Sequence, residues 1–599
     1  MMSAPGDLHQ YLDVLRSEGE LAEVEVPVDP KLEIAEVHRR VIAADGPALL
    51  FRQPEGAAFP LVTNLFGSVK RMELAFGNSP HRWIQQVVDL VQGPLPPKLS
   101  GIWAKRGLLR QLTRLGNKQI GRAPVAQVSG PPDLGKLPAL TTWSEDGGPF
   151  LTWPNVLTEP PGGGASNLGV YRMQVYDPAT TGMHWQIGKG GGFHLHQAAE
   201  QGVKLPVSVF LGGPPAMILA AVAPLPENVP EMLLASLVLG RKLPVWTPPR
   251  GHAVPATADF CLVGTVDPNE RRLEGPFGDH YGYYSLQHEF PVFRVDRMFH
   301  RHDAVLPATV VGKPRQEDFY LGDLLQEILS PLFPLVMPGV RSLWTYGETG
   351  YHSLAAAVVR DRYRREALTS AFRVLGEGQL SLTKFLLVTD KMVDLRNFTE
   401  VLETVLERTR PETDVYVLAN TSMDTLDYAG PKINHGSKCV WMGLGPAVRD
   451  LPGEYSGQPP NLVKDVRVFC RGCLVVEAGP KAESPEAAAE IAQHPSFAAW
   501  PLIVVTDDAR RAVAGGANFL WTTFTRLDPA QDLFAATTTA EQNHLAYHGP
   551  IVLDARLPKN FPSELLVDVD TKELVDRRWR EYFPQGQAMG DSDSAHLKG

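Results

Sequence analysis

The segment Asn167-Leu168-Gly169-Val170-Tyr171-Arg172-Met173-Gln174-Val175-Tyr176 alternates in the manner of a β-strand and carries a guanidinium in its middle. Period two puts Arg172 on one face and its neighbours Tyr171 and Met173 on the other. A strand in the body of a protein is a costly place for that charge unless a carboxylate meets it. The segment therefore predicts a sheet-built middle region and an acid supplied from elsewhere in the chain. From 140 to 310 the β-rich runs Val207 to Leu211, Met217 to Ala221 and Phe260 to Val266 are punctuated by Gly and Pro, with few regular helices. That rhythm predicts a twisted barrel or sandwich.

Toward the N-terminus, Leu8, Tyr11, Leu12 and Leu15 share a helical face that ends at Gly19, and Asp29-Pro30 opens a second helix with Ile34, Val37 and Val41 as its buried stripe. After Pro314 helix and strand alternate. Helices are predicted over Asp318 to Leu329, Arg362 to Leu375 and Asn397 to Arg408, and strands over His352 to Val359, Lys384 to Thr389 and Asp414 to Leu418. This order predicts a mostly parallel sheet covered by helices. One more α/β piece follows, with a helix start at Ser484-Pro485 and an apolar strand at Leu502 to Val505. The class is α/β with an α+β mixture. Five blocks are expected: an N-terminal α/β unit and connector (1–125), a β-rich domain (126–312), a C-terminal α/β domain (313–475), an α/β extension suited to oligomerisation (476–584) and a disordered polar tail (585–599). No tandem repeat at a fixed period is evident.

A chain of 599 residues, 44% hydrophobic and 21% charged, has ample core material for several domains. A net charge of -10 argues against nucleic acid as a partner. No apolar run approaches the ~20 residues that cross a bilayer, and Met1 to Asp7 has no signal-peptide character, so a cytoplasmic location is expected. Four cysteines fit a reducing compartment. Cys470 and Cys473 have the spacing of zinc ligands but no second pair, and read as ordinary thiols or as a metal or redox pair. Lys105, Arg106, Arg110, Arg114, Lys118 and Arg122 form a basic connector that is either a solvated face or a phosphate contact.

Two more segments carry polar chemistry. Thr181-Gly182-Met183-His184-Trp185-Gln186-Ile187-Gly188-Lys189-Gly190-Gly191-Gly192 is either a phosphate cradle, with close backbone approach and a cation, or a bare glycine turn. It is not a P-loop. Glu274-Gly275-Pro276-Phe277-Gly278-Asp279-His280 sets two carboxylates about a turn. It is either a solvent loop or a pair of acids aimed at one point, whose repulsion would raise one pKa toward neutrality.

Together these motifs, with the stretch Pro214 to Glu231, resemble the UbiD family of decarboxylases from the N-terminus to about residue 475. The resemblance implies a split-barrel domain that binds prenylated FMN, with a divalent ion, usually Mn2+, and often K+ at its phosphate. It implies that Arg172, Glu274 and Asp279 form the catalytic set, Asp279 being the proton donor. Val170, Tyr171, Arg172, His184, Trp185, Gln186, Lys189 and Gly190 would line the flavin, Lys384 would reach its phosphate, and Asn167 and Glu231 would be metal ligands. Oxygen donors suit such a hard cation. One departure is Gly188, where many relatives have a histidine ligand. His194, His196 or a water would then complete the shell.

The resemblance further implies non-oxidative decarboxylation of an aromatic or α,β-unsaturated acid, a flavin prenyltransferase as cofactor supplier, and a homodimer or homohexamer. The extension after 475 is similar to long bacterial members of quinone biosynthesis, including menaquinone decarboxylases. That favours a polyprenylated hydroxybenzoate or dihydroxynaphthoate, with peripheral membrane contact, over vanillate, protocatechuate or cinnamate. Two other classes stay open: a flavin-binding scaffold without catalysis, and a metal-dependent hydrolase built from Asn167, Glu231 and His194 or His196.

Overall fold

A computed structural model describes residues 4–77, 79–91, 115–185, 190–223, 230–313 and 315–592. They form two compact units, one running from the N-terminus to Ile328 and resuming at Glu564, the other spanning Leu329–Ser563. Lys105 to Arg114 of the basic connector and residues 224–229 of the Pro214 to Glu231 match lie outside the described residues.

The first unit is built on a nine-stranded, wholly antiparallel sheet that curls into a half-barrel. Its strands are β1 (Val128–Gly130), β2 (Phe150–Leu151), β3 (Asn155–Thr158), β4 (Asn167–Val170), β5 (Met173–Asp177), β6 (Thr180–Gly182), β7 (Leu205–Leu211), β8 (Phe260–Glu274) and β9 (His288–His300). The order is β2-β5-β6-β9-β8-β7-β3-β4, with β1 added to β9. Val207, Val209, Leu211, Phe260 and Leu262 enter one apolar core, while the intervening Phe210, Cys261 and Val263 enter another. Both faces of the sheet are thus covered, which explains why these strands read as continuous apolar runs. The long pair β8 and β9 runs in register from Phe260 opposite His300 to Glu274 opposite His288, with shifts on the way. It delivers Glu274 to the end of the barrel.

Three helices of this unit bear on the site: α1 (Gly190–Gln201), α2 (Glu231–Leu239) and α3 (Glu317–Leu329). A smaller four-stranded sheet of Leu21–Val28, Ala48–Pro54, Leu61–Thr63 and Leu306–Pro307 is accompanied by the expected helices Leu8–Ser17 and Glu33–Ala43. Met217 to Ala221, expected as a strand, is part of the helix Ala216–Val222. Pro214 and Pro215 lead into its first turn, where Met217 N donates to Pro214 O at 2.9 Å. A short, fully buried apolar run gives no period by which to tell helix from strand.

The second unit holds two five-stranded sheets of one topology. In the first, Val340–Thr345, Leu354–Val359, Phe385–Thr389, Val415–Ser422 and His435–Gly443 lie in the order first, second, third, fifth, fourth. In the other, Val463–Cys470, Cys473–Ala478, Leu502–Thr506, Leu533–Glu541 and His544–Asp554 repeat that order. Both have three central parallel strands and an antiparallel strand at each edge, so the expected parallel sheet is parallel only at its centre. Matching pieces recur in sequence: Leu387-Val388-Thr389-Asp390 and Val504-Val505-Thr506-Asp507, Asn397-Phe398 and Asn518-Phe519, and a Pro three residues before an Asp at Pro411 and Pro529. Phe398 and Phe519 face each other with ring centroids 6.0 Å apart, inside one apolar core shared by both sheets. The repeat is hard to see in the sequence because its matching pieces are short and unevenly spaced.

The expected extension to 584 ends at Ser563, because Glu564 onward, including the helix Val569–Tyr582, belongs to the first unit. The tail to Ser592 is not disordered. Gly590 N donates to Arg40 O at 2.9 Å, Ser592 Oγ to Glu36 Oε1 at 2.5 Å, and Trp579 Nε1 to Gln587 O at 2.9 Å. These are polar contacts, invisible to a reading based on apolar content.

Candidate active site

β5 presents three alternate side chains, Arg172 just before its start and then Gln174 and Tyr176, to the turn that follows β8. Arg172 donates Nε to Glu274 Oε1 at 3.0 Å, Nη1 to Asp279 Oδ2, and Nη2 to Ser285 Oγ at 2.8 Å. Its guanidinium lies over the Phe277 ring, 4.6 Å from the centroid. The turn is clamped from behind. Gln174 accepts from Gly275 N at 2.9 Å and donates to Gly147 O at 2.7 Å, and Gly147 N donates to Pro276 O at 2.8 Å. Asp146 accepts from Gly278 N at 2.7 Å, and from Thr142 N, Thr142 Oγ1 and Trp143 N at 2.7 to 2.9 Å. Gly147 has to be glycine, since a Cβ there would come 2.1 Å from Gly275 O.

Neither acid is raised toward neutrality as a repelling pair would require. Burial pushes Glu274 up, but His184, whose Nδ1 is 2.8 Å from Oε1, and Arg172 outweigh it and hold the carboxyl below its ordinary value. Burial likewise pushes Asp279 up, and His280 and Arg172 more than reverse it, leaving Asp279 well below the usual carboxylate range. The expectation failed because Arg172 stands between the two acids and screens them from each other.

A second cluster lies where β4 and the starts of α1 and α2 meet. Leu168 N donates to Glu231 Oε2 at 3.2 Å, which brings Glu231 beside Asn167. A Cβ on Gly190 would come 2.0 Å from Asn167 Oδ1, and one on Gly191 2.5 Å from Trp185 Nε1. Tyr171 hydrogen-bonds Asn167, and burial pushes its hydroxyl up. Burial also pushes Glu231 up. Asn155, fully buried, stands opposite Val170 across β3 and β4 with both amide atoms unpartnered. Trp185 Nε1, Asn167 Nδ2 and His184 Nε2 are also buried without partners. Unmet donors, glycines at close approach, a helix start and an oxygen-donor pair fit a phosphate-bearing planar cofactor with a hard cation.

The expected residues Asn167, Val170, Tyr171, Arg172, His184, Trp185, Gly190, Glu231, Glu274 and Asp279 all belong to the first unit. Gln186 and Lys189, with Gly188, lie outside the described residues. Lys384 belongs to the second unit, 1% exposed and ion-paired with Asp427 at 2.8 Å, so its charge is already met there. His194 bonds Thr158 Oγ1 at 2.8 Å, and His196 is exposed beside Glu200. Among the described residues no three His, Cys, Asp or Glu side chains gather as a metal site, which gives the hydrolase reading and a Cys470–Cys473 metal site no support. Asn155, Ser285 and Asp146 were missed. An Asn inside the apolar run Phe150 to Leu157 was the only signal, for the first of them.

Three family models match in order: the 3-octaprenyl-4-hydroxybenzoate carboxy-lyase N-terminal domain over residues 12–91, its Rift-related domain over 118–314 and its C-terminal domain over 319–443. A Chlamydia pneumoniae protein, named as one of the subunits of a 4-hydroxybenzoate decarboxylase, is 49% identical over 586 residues, 97% of this chain and 99% of that one. An uncharacterized Archaeoglobus fulgidus protein is 37% identical over 464 residues, 76% of this chain and 95% of its own. Similar solved structures include the closed form of Sedimentibacter hydroxybenzoicus vanillic acid decarboxylase, with TM-score 0.65, 23% identity and coverage of 77% and 97%. The UbiD-class enzyme HmfF from Pelotomaculum thermopropionicum in complex with FMN has TM-score 0.60, 23% identity and coverage of 76% and 97%. An antiparallel half-barrel with an arginine held between two acids is thus the framework of a carboxy-lyase. The chain belongs to the UbiD family.

Proposed function

We propose that this enzyme decarboxylates a hydroxylated aromatic acid on prenylated FMN, with Mn2+ or a similar divalent ion, and K+, at the cofactor phosphate. The observation that carries the reading is the convergence of Arg172, Glu274 and Asp279 beside a cluster suited to a phosphate. The reaction is R–COO⁻ + H⁺ → R–H + CO2. Prenylated FMN, when bound, supplies an electron sink for the pair left as CO2 departs. Arg172 holds the substrate carboxylate, and Glu274 and Ser285 fix the guanidinium. Asp279, ionised in the resting site, takes up a proton as the substrate's negative charge enters and delivers it to the ring carbon. Tyr171 and the backbone of Gly190 and Gly191 would receive the phosphate, and Asn167 and Glu231 would hold the cation. Gln186 and Lys189 belong to the same site by their motif.

The substrate we favour is a polyprenylated hydroxybenzoate or dihydroxynaphthoate of quinone biosynthesis, handled in the cytoplasm with peripheral membrane contact. In the described residues no helix is long and apolar enough to cross a membrane. A small phenolic acid is the second reading, favoured by the name of the Chlamydia pneumoniae relative. That name also makes proteins of other sequence natural partners, beside self-association and a flavin prenyltransferase. Co-expression with such a prenyltransferase, followed by CO2 release from 4-hydroxybenzoate, vanillate, dihydroxynaphthoate and prenylated acids, tests the reading. No release from any aromatic acid by the flavin-loaded protein defeats it.

A further inference from the structure

The carboxylate of Glu274 is engaged on one side only. Oε1 receives Arg172 Nε and His184 Nδ1, whereas Oε2 is buried and has no hydrogen-bond partner. The hydroxyl of Tyr176 is in the same condition. The two oxygens lie near one another beside Gly182, since a Cβ built there would stand 2.9 Å from each. Tyr176 is held there by Arg272, whose guanidinium stacks 4.2 Å above its ring. A buried acceptor and a buried donor near one another are each costly alone and are both satisfied by a single shared water.

We infer that Tyr176 is a positioning residue for Glu274, serving Oε2 by a hydrogen bond that one water lodged over Gly182 carries. Arg172, Gln174 and Tyr176 then form one row on β5, each holding a different part of the Glu274 turn. The groups that face Glu274 are Arg172 and Tyr176 from this row, His184 from the segment after β6 and His288 from β9. A hydrogen bond to the charged form favours it, so Tyr176 helps to keep Glu274 ionised as the counter-charge of Arg172. A side chain at 182 would crowd both oxygens. The inference rests on the proposed function for the purpose of Glu274, but not for the contact.

The test uses the flavin-loaded full chain with Tyr176→Phe and Gly182→Ala. Both are expected to lower kcat about fivefold with KM within about twofold, and to move the acidic limb of the kcat/KM profile to higher pH. Tyr176→Gln, which keeps a donor, is expected to recover part of the loss. A high-resolution crystal structure should show a water bonded to Tyr176 Oη and Glu274 Oε2 in the wild type and none in the Gly182→Ala variant. An unmoved acidic limb in both variants, or a wild-type crystal in which no water joins the two oxygens, overturns the inference. If the wild type releases no CO2 from any aromatic acid, the proposed function falls, and the crystallographic water alone decides the role of Tyr176.

Discussion

Arg172 donates its Nε to Glu274 Oε1 at 3.0 Å across 102 residues of chain. The contact ties the beginning of β5 to the end of β8, and through Nη1 it reaches Asp279 in the same turn. One guanidinium therefore fixes the spacing of both acids.

That arrangement makes the charge and proton of Asp279 separable from its place. Asp279→Asn keeps one acceptor oxygen, enough for Arg172 Nη1 or for His280 N but not for both, and has no acidic proton to give. Decarboxylation is expected to fall roughly 10²- to 10⁴-fold with the fold intact, measured as CO2 release alongside circular dichroism. Arg172→Lys, which cannot span two acids, is expected to lose as much.

The cluster proposed to hold the cofactor can be tested without turnover. Gly190→Ala would drive a methyl against Asn167 Oδ1, 2.0 Å away, and Gly191→Ala one against the Trp185 indole, 2.5 Å away. Both variants are expected to lose bound flavin on desalting, read from the visible spectrum. Gly121→Ala, where a Cβ meets nothing within 4 Å, is expected to keep it.

Asp146 holds four donors and, by its bond to Gly278 N, the backbone just before Asp279. Asp146→Ala leaves those donors unmet in a buried place. A loss of about 2–4 kcal/mol in stability is expected, seen as a lower Tm. Activity should fall as well, because the turn bearing Asp279 loses its clamp.

Asp318, the second residue of α3, is pushed up to about 6, by burial first and then by the Asp279 charge, with His280 opposing. The unfolded chain releases this proton near pH 4, before the folded one does, so stability falls from about pH 4 to about 6 and then levels. Asp318→Asn removes the effect. Relative to wild type it is expected to be near neutral at pH 4 and more stable above pH 6, by up to roughly 3 kcal/mol. Thermal melts across pH 4–8 measure it, and a gain independent of pH would refute the assignment.

Much of this was legible in the chain. The alternation around Arg172 and the apolar runs of β7 and β8 announced a sheet. The cost of a buried guanidinium announced an acid, which is Glu274. What the sequence withheld was spatial. The turn of Glu274 and Asp279 looked like two repelling carboxylates because nothing local shows Arg172 inserted between them. Asp146 and Ser285 are ordinary polar residues until the fold brings them to that turn. Lys384 opened a strand in a motif suggestive of phosphate binding, whereas Asp427, 43 residues later in the numbering, neutralises it within its own unit. Tail contacts such as Gly590 to Arg40 depend on backbone polar groups, which carry no compositional mark.

The meeting of Phe398 with Phe519 within one polypeptide has a consequence for how that half of the enzyme behaves. Two such surfaces on separate molecules would part on dilution. Here a covalent tether supplies the second surface at a fixed local concentration, so the pairing survives however scarce the protein becomes. The two halves of the pair are also free to diverge. Only the earlier one has the lysines at 384 and 438, their counterparts by register in the later sheet being Pro501 and Pro550. The earlier half must then bury two cations that its twin does without.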